Sequence, residues 1–495
     1  MTSNDNEVLR RIFHAKSLAV IGASLDPMKF GGLFLRAILD FGFKGRIYPV
    51  NPRGGEIQGI HFIRDISELP EGIDLAAVCV PREQVAGALK ACLSKKIAGA
   101  EILTAGFKEA DDGIGPVLEK EIADLVLQGI RVIGPNCFGI YCPQSGLTLL
   151  PGNEFSHQSG PVGFISQSGG VCADLGQLAK GYGLSFSLMV SYGNGCDLNA
   201  AELLEYMARD PETTLIGAYI EGVTHGSEFF DSLCAASSRK PVLVWKAGLS
   251  ETGRRATASH TGSLAGHSGL WKGLIRQANA IPVDGLEEFV DHAMAFIHLQ
   301  PFTGRRLAVV GGGGAISVEA ADAAEKFSLE VRPFSAAVQE RLRNILPPPG
   351  NSVRNPVDVG HPMIPAGIIS RLLETVSGEP GIDLMAVVQI PYHIIMSKKR
   401  FLPDYSGPLS NLGHQQDLLD ELCRIRQGCG KPLVLIMKNI APSIDHMEME
   451  RIWREHRDLS LTAGIPVYPS PERAFRSLAA VARYWHHRWN RSGIT

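Results

Sequence analysis

Short apolar runs alternate with segments of helical period along almost the whole chain. Ser17–Ile21, Arg46–Val50, Leu75–Val80, Ala98–Leu103 and Arg131–Ile133 read as buried strands, because each is a continuous apolar run rather than an alternating one. Glu83–Leu93 and Pro116–Gln128 show helical spacing between them. Strand and helix taking turns predicts parallel sheets covered on both faces. A second run begins near Gly160, with strands at Val162–Ser166, Phe186–Ser191, Leu215–Ile220 and Pro241–Trp245 and a long helix around Ser263–Ala278. A third begins at Arg306–Val310 and continues through Leu384–Ile390, Leu433–Met437 and Val467–Tyr468. Pro143–Ser159 and Leu299–Gly304 read as linkers, and Pro347–Pro356 as a Pro-rich stretch inside the third run. The expected fold class is α/β, with three doubly wound domains over 1–145, 146–302 and 303–495.

Composition narrows the function. Across 495 residues, 48 Lys and Arg face 51 Asp and Glu, a formal charge of −3. That balance excludes nucleic-acid binding by bulk positive field. Nine cysteines, odd in number and without a CxxC pair, favour reduced thiols in a cytoplasm over a disulfide frame or a metal site. Met1–His14 has no apolar core before a small-residue cleavage site, and the most apolar window, Leu307–Ala324, carries Glu319 and Asp322. The chain reads as a cytoplasmic enzyme or binding protein that does not span a membrane.

The turns that follow the strands carry the small residues, and ligands of open α/β sheets bind at those carboxyl ends. The first turn, Gly22-Ala23-Ser24-Leu25-Asp26-Pro27, is not GxGxxG, and the second strand ends in Asn51-Pro52-Arg53 where a ribose-binding acid would stand. NAD is disfavoured; an ADP-containing ligand and a purely structural glycine turn both stay open. Ser166-Gln167-Ser168-Gly169-Gly170 links a strand to a helix and suits a phosphate cradle, or else a Ser N-cap with glycines for packing. In Arg254–Gly266 (RRATASHTGSLAG), His260 lies among small polar residues, which predicts a mobile loop presenting an imidazole. Histidine is a capable nucleophile when an acid fixes its tautomer, and Glu221 ends a predicted strand; a satisfied surface histidine is the alternative. Trp485, His486, His487 and Trp489 read as an amphipathic helix face, and Arg400, Arg424 and Arg426 as solvated charges. Gly311–Gly314 reads as a phosphate loop or an equally plain structural turn.

Taken in order, GASLDPMKFGG (22–32), YPVNPR (48–53), CVP (79–81), TAGF (104–107), GPNCFG (134–139), FISQSGG (164–170), SYGNGCD (191–197), YIEG (219–222), SHTGSLAG (259–266) and NPVDVG (355–360) resemble one family. It is the NDP-forming acyl-CoA synthetases, the superfamily of succinyl-CoA synthetase and ADP-forming acetate–CoA ligase. The resemblance runs from about Ser17 to Tyr484. It implies a Rossmann-like CoA-binding domain, a flavodoxin-like domain with a phosphohistidine loop, and a second flavodoxin-like ligase domain. Gly22, Ala23, Ser24, Lys29, Asn51, Val80, Pro81, Ala105 and Gly106 fall on turns that contact CoA in the family, and Asn136 and Cys137 where thiol and acyl group meet. His260 matches the phosphorylated histidine, Glu221 its supporting carboxylate, and Ser168, Gly169 and Gly170 the phosphate-holding helix end. No resident metal is implied.

There are departures. Val310-Gly311-Gly312-Gly313-Gly314 stands where relatives carry an Asn-Ala-Gly-Gly type of turn, and Asn194-Gly195-Cys196 replaces the usual Asn-Lys. No stretch resembles an ATP-grasp module. The expectation is therefore the α subunit of an acid–CoA ligase, oligomeric with itself or with an ATP-grasp β subunit that holds ATP/ADP and Mg2+. Its substrates are CoA and a carboxylic acid. The rival is a CoA- or acyl-CoA-binding regulator or scaffold without catalysis.

Overall fold

Apolar continuity translates directly into three parallel sheets. The computed structural model describes residues 3–150, 152, 154–261, 268–346, 349–360, 365–401, 415–440 and 443–492. In chain order the first strands are β1 (Ser17–Ile21), β2 (Arg46–Val50), β3 (Glu56–Ile57), β4 (Ile60–His61), β5 (Leu75–Val78), β6 (Gly99–Ile102), β7 (Arg131–Ile133) and β8 (Gly139–Tyr141). Next come β9 (Val162–Ser166), β10 (Phe186–Ser191), β11 (Leu215–Ile220), β12 (Val242–Lys246) and β13 (Ile281–Pro282). The last four are β14 (Leu307–Gly311), β15 (Leu384–Gln389), β16 (Leu433–Met437) and β17 (Val467–Tyr468).

The chain forms two compact units, Met1–Phe289 and Val290–Thr495. The first holds two large sheets, ordered β2-β1-β5-β6-β7 and β13-β12-β11-β9-β10-β8, and a two-stranded β3-β4 pair. In the two large sheets all pairs are parallel except β8 with β10, so Gly139–Tyr141, inside the range read as 1–145, joins the edge of the second sheet; β3 and β4 pair antiparallel. The central strands of both sheets are buried along their whole length, as β5 and β9 are, which explains their unbroken apolar sequences. Val80 and Pro81 lie past the end of β5, and Pro81 is the N-cap of the helix Arg82–Ser94.

In the second unit the parallel order is β14-β15-β16-β17. Here the NPVDVG motif has a structural use. Asn355 Oδ1 accepts from Val309 N (3.1 Å), while Nδ2 donates to Leu307 O (2.8 Å) and Arg332 O (3.0 Å). One amide side chain so satisfies the free edge of β14, where Val357 also pairs with Val310. Arg424 and Arg426 are not simply solvated. Arg424 is paired with Glu374 and Glu421, and Arg426 donates to the Ala463 and Gly464 carbonyls at the end of the helix Met447–Thr462. Trp485 packs on Tyr484 and Trp489 along the helix Pro471–Ser492. Among the described residues, no helix is long and apolar enough to cross a membrane.

Candidate active site

In the second sheet β9 lies between β10 and β11, so the chain leaves β9 toward one side and returns on the other. The crevice at such a switch point is where doubly wound sheets bind ligands. Ser166-Gln167-Ser168 leaves β9 there. Ser168 is the N-cap of the helix Gly169–Gly181; its Oγ accepts from Val171 N at 3.3 Å, and its own N–H donates to Ser166 Oγ at 3.0 Å. A side chain on Gly169 would overlap the Phe138 ring, whereas the nearest atom to one on Gly170 is Ser168 Oγ at 3.8 Å. Gly169 is thus required by packing and Gly170 is not. The first N–H groups of this helix have no intrahelical acceptor and carry its positive end.

Gln167 ties that turn to the end of β11. Its N–H donates to Tyr219 O (3.3 Å), and its Oε1 accepts from Glu221 N (2.5 Å) and Gly222 N (2.9 Å). Glu221 is 5% exposed. Behind it, buried Lys246 at the end of β12 donates to the Glu221 carbonyl oxygen at 2.8 Å and to Ala247 O, with Nζ 4.9 Å from the Trp271 ring centre. Burial lowers the Lys246 pKa to about 8, against an opposing pull from the Glu221 charge. Burial first, and Glu221 second, raise the Tyr219 phenol to about 12.

His260 lies on the helix Glu251–Thr261, so the predicted loop is helical over that part. Ser250 Oγ accepts from Gly253 N at 3.0 Å, an N-cap bond, and alanines at 256 and 258 are good helix formers. Small residues permit helix as readily as a mobile loop. The His260 side chain, and residues 262–267 of the same motif, lie outside the described residues.

Two further turns meet beside this crevice. Asn194 N donates to Pro135 O (3.0 Å) and Cys196 N to Gly134 O (3.1 Å), so the loop after β10 is fastened to the turn after β7. Gly193 has φ +51, and a Cβ there would overlap the Pro135 and Asn136 carbonyls. Arg131 holds Asp197 through two bonds of 3.0 Å and Glu202 through one of 2.9 Å, which locks the loop to β7. Asn136 Nδ2 lies 3.5 Å from Asn194 Oδ1. Cys137 is buried, its thiol donating to Ile102 O at 3.3 Å, and burial pushes it well above the ordinary thiol range. Asn194 Nδ2 also donates to Glu109 (2.6 Å) and Glu119 (2.8 Å), and Lys108 Nζ to Asn194 O (2.7 Å).

The first sheet has its own mouth. Gly22 N and Ala23 N both donate to Val50 O at 3.1 Å, Asn51 Nδ2 donates to Ala23 O at 2.6 Å, and Thr104 Oγ1 to Val80 O at 2.6 Å. These bonds bring Gly22, Ala23 and Asn51 together, and Val80 Cγ1 lies 3.1 Å from where a Cβ on Gly22 would stand. Lys29 is exposed at the N-cap of the helix Phe30–Phe41. The Gly106 N–H is already taken by Glu109 Oε1 (2.6 Å) and its carbonyl by Arg82 (2.8 Å), so Ala105 is the exposed member of that pair. The start of the helix Phe30–Phe41 and the exposed Lys29 ammonium at this mouth suit a ligand that carries phosphate.

Known proteins resemble this chain in sequence and fold. Residues 16–143 match the model of a CoA binding domain, and residues 159–296 that of a succinyl-CoA ligase like flavodoxin domain. An ADP-forming acetate–CoA ligase I of Archaeoglobus fulgidus is 32% identical over 478 residues, 96% of this chain but 64% of that relative. The α subunit of ADP-forming acetate–CoA ligase II of Pyrococcus furiosus is 31% identical over 471 residues, 94% of this chain and 95% of the relative. The chain belongs to the NDP-forming acyl-CoA synthetases. A solved structure of a family relative, acetyl-coenzyme A synthetase 1 of Ca. Korarchaeum cryptofilum, superposes with a TM-score of 0.82 at 29% identity, over 98% of this chain and 99% of that one. Within this synthetase chain, Gln167, Lys246, Lys108, Glu109 and Glu119 escaped sequence reasoning. Gln167 stood inside a quoted motif, but nothing in its neighbours signalled a bond 54 residues away.

Proposed function

We propose that the chain is the CoA-binding, phosphoryl-carrying α subunit of an NDP-forming acid–CoA ligase, with the three-domain division given above. His260 takes the γ-phosphoryl group of ATP, forming an N–P bond as ADP leaves. A carboxylate oxygen of the acid then takes the group from His260, giving an acyl phosphate and free imidazole. The CoA thiolate adds to the acyl carbon and phosphate departs, leaving the thioester. Splitting one difficult displacement into easier steps is the advantage of the covalent intermediate. ATP/ADP and Mg2+ are held by an ATP-grasp partner subunit, in the cytoplasm; nine free cysteines agree with a reducing compartment.

The observation that supports this reading best is the meeting of three features at one switch point. They are the start of the helix Gly169–Gly181, buried Glu221, and the Gly134–Asn136 turn fastened to Asn194. A helix start neutralises a phosphoryl group, and a carboxylate orients an imidazole. The rival, an inactive CoA-binding regulator, finds no support among relatives named as ligases. The deciding test uses the chain with its partner, ATP, acid and CoA. His260→Ala should abolish acyl-CoA formation while CoA affinity, measured by calorimetry, stays within about twofold. Rapidly quenched wild-type enzyme should carry acid-labile phosphate on His260 by mass spectrometry. An active His260→Ala enzyme would overturn the mechanism.

A further inference from the structure

Tyr192 follows β10 directly and is 2% exposed. Its N–H donates to Ser166 O at 2.9 Å, which fixes its backbone beside the turn that starts the helix Gly169–Gly181. Among the described residues, nothing hydrogen-bonds its hydroxyl. Burial pushes the phenol far above its ordinary value, with the Glu221 charge adding to the effect, so it stays a neutral O–H donor. A buried hydroxyl with no acceptor destabilises a fold, and the few such groups in native proteins call for an explanation.

Tyr192 lines a cleft of about 710 Å3 within the first unit. Gln167, Asn194 and Gly222 line the same cleft from the second-sheet turns, Ala123 from the helix Gly115–Val126, and Phe229 adds an apolar wall. Charged groups, Lys108, Glu119, Lys120 and Asp124 among them, line the same space beside the apolar side chains of Val223 and Phe229. The positive end of the helix Gly169–Gly181 offsets the Glu221 charge for an anion arriving there.

We propose that Tyr192 binds the acid substrate, its phenol O–H donating to a carboxyl oxygen while the rest of the acid lies along Phe229 in this cleft. The proposal rests on the ligase reading above and adds a substrate-binding residue to it. No bond is made or broken at Tyr192; it fixes the oxygen that accepts the phosphoryl group. A hydrogen bond to a charged oxygen in such surroundings is worth about tenfold or more in affinity.

The test is Tyr192→Phe in the full chain with its partner subunit, using acetate, butyrate and phenylacetate as probe acids. KM for the accepted acid should rise about tenfold with the CoA KM unchanged. Without ligand, the variant should melt at the same temperature as wild type or higher, because the hydroxyl leaves no broken partner behind. Acetyl phosphate supplies a second arm: half-maximal phosphorylation of His260 should need more of it, while transfer from phosphorylated His260 to ADP keeps its rate. Unchanged KM for the acid would overturn the proposal, as would a lower melting temperature with all kinetics intact. A slowed transfer to ADP with an unchanged acid KM would place the hydroxyl on the phosphoryl group instead, and also overturns it. A wild-type enzyme that makes no acyl-CoA from any probe acid and is not phosphorylated at His260 would sink the ligase reading itself.

Discussion

The turn after β9 and the turn after β14 share one backbone plan: a buried parallel strand, small residues, then a helix of 13 residues. After β9 the helix start is capped by the Ser168 side chain, and the neighbouring strand ends supply Glu221, Tyr192 and Asn194. After β14 the N-cap is Gly313, with no side-chain cap. The turn opens on a cleft of about 570 Å3 lined by Val359, Val388, Ile390 and Ile440, with Lys438 engaged by Glu319 at 2.6 Å. Topology therefore provides a helix start at the mouth of both sheets, and the ends of the adjacent strands decide its chemistry. Polar groups convert one turn into a crevice for charged chemistry; apolar ones leave the other a greasy cleft.

Alanine at Gly311 should give the largest effect. Gly311 has φ +106, and a Cβ would overlap the Val388 carbonyl oxygen. Strain and overlap together should cost about 3 kcal/mol or more, read as a lower midpoint in denaturant unfolding. A neutral result would mean that the turn after β14 is plastic, and the likeness of the two turns would be superficial.

A smaller effect should come from the anchor that joins the edge strand β8 of the second sheet to β6 of the first. Glu101, on β6, accepts from Ile140 N on β8 at 3.2 Å and is 1% exposed. Burial pushes its carboxyl up to about 8 from an ordinary 4.5. Below the ordinary value both folded and unfolded chains hold the proton. Between 4.5 and about 8 only the folded chain does, so stability falls as pH rises through that window, and the loss is complete above it. Glu101→Gln cannot titrate. Its melting temperature should gain on wild type from about pH 5 to pH 8 and then run parallel. Melting curves that stay parallel from pH 5 to 8 would show that Glu101 is ionised in the folded protein.

The smallest effect on stability is expected at Gly170, where an added carbon meets only Ser168 Oγ, at an ordinary 3.8 Å. Gly170→Ala should change stability by no more than about 0.5 kcal/mol. Phosphorylation of His260 should nevertheless slow, because the new methyl group crowds the helix start. Equal losses of stability at Gly170 and Gly311 would erase the distinction between a turn built for a ligand and one built for packing.

The sequence by itself determined the class of the fold. Buried parallel strands need apolar residues on both faces, so Val162–Ser166 and Leu433–Met437 are legible to the residue. The ordered motifs carried the family and pointed to the strand-end turns. Boundaries that depend on caps were less legible: Leu75–Val80 stops at Val78 because Pro81 opens a helix. Arg254–Gly266 misled because alanine, serine and threonine suit both loop and helix, and the Ser250 cap decided for helix over Glu251–Thr261. Tertiary structure alone decided which distant groups meet. Arg131 and Asp197 are 66 residues apart, Gln167 and Glu221 are 54, and Asn194 and Glu109 are 85. No local pattern encodes these pairs, since each side chain finds its partner only when strands and turns far apart in the chain are folded against one another. The same holds for Tyr192, which reads as one more aromatic core residue until packing leaves its hydroxyl without an acceptor.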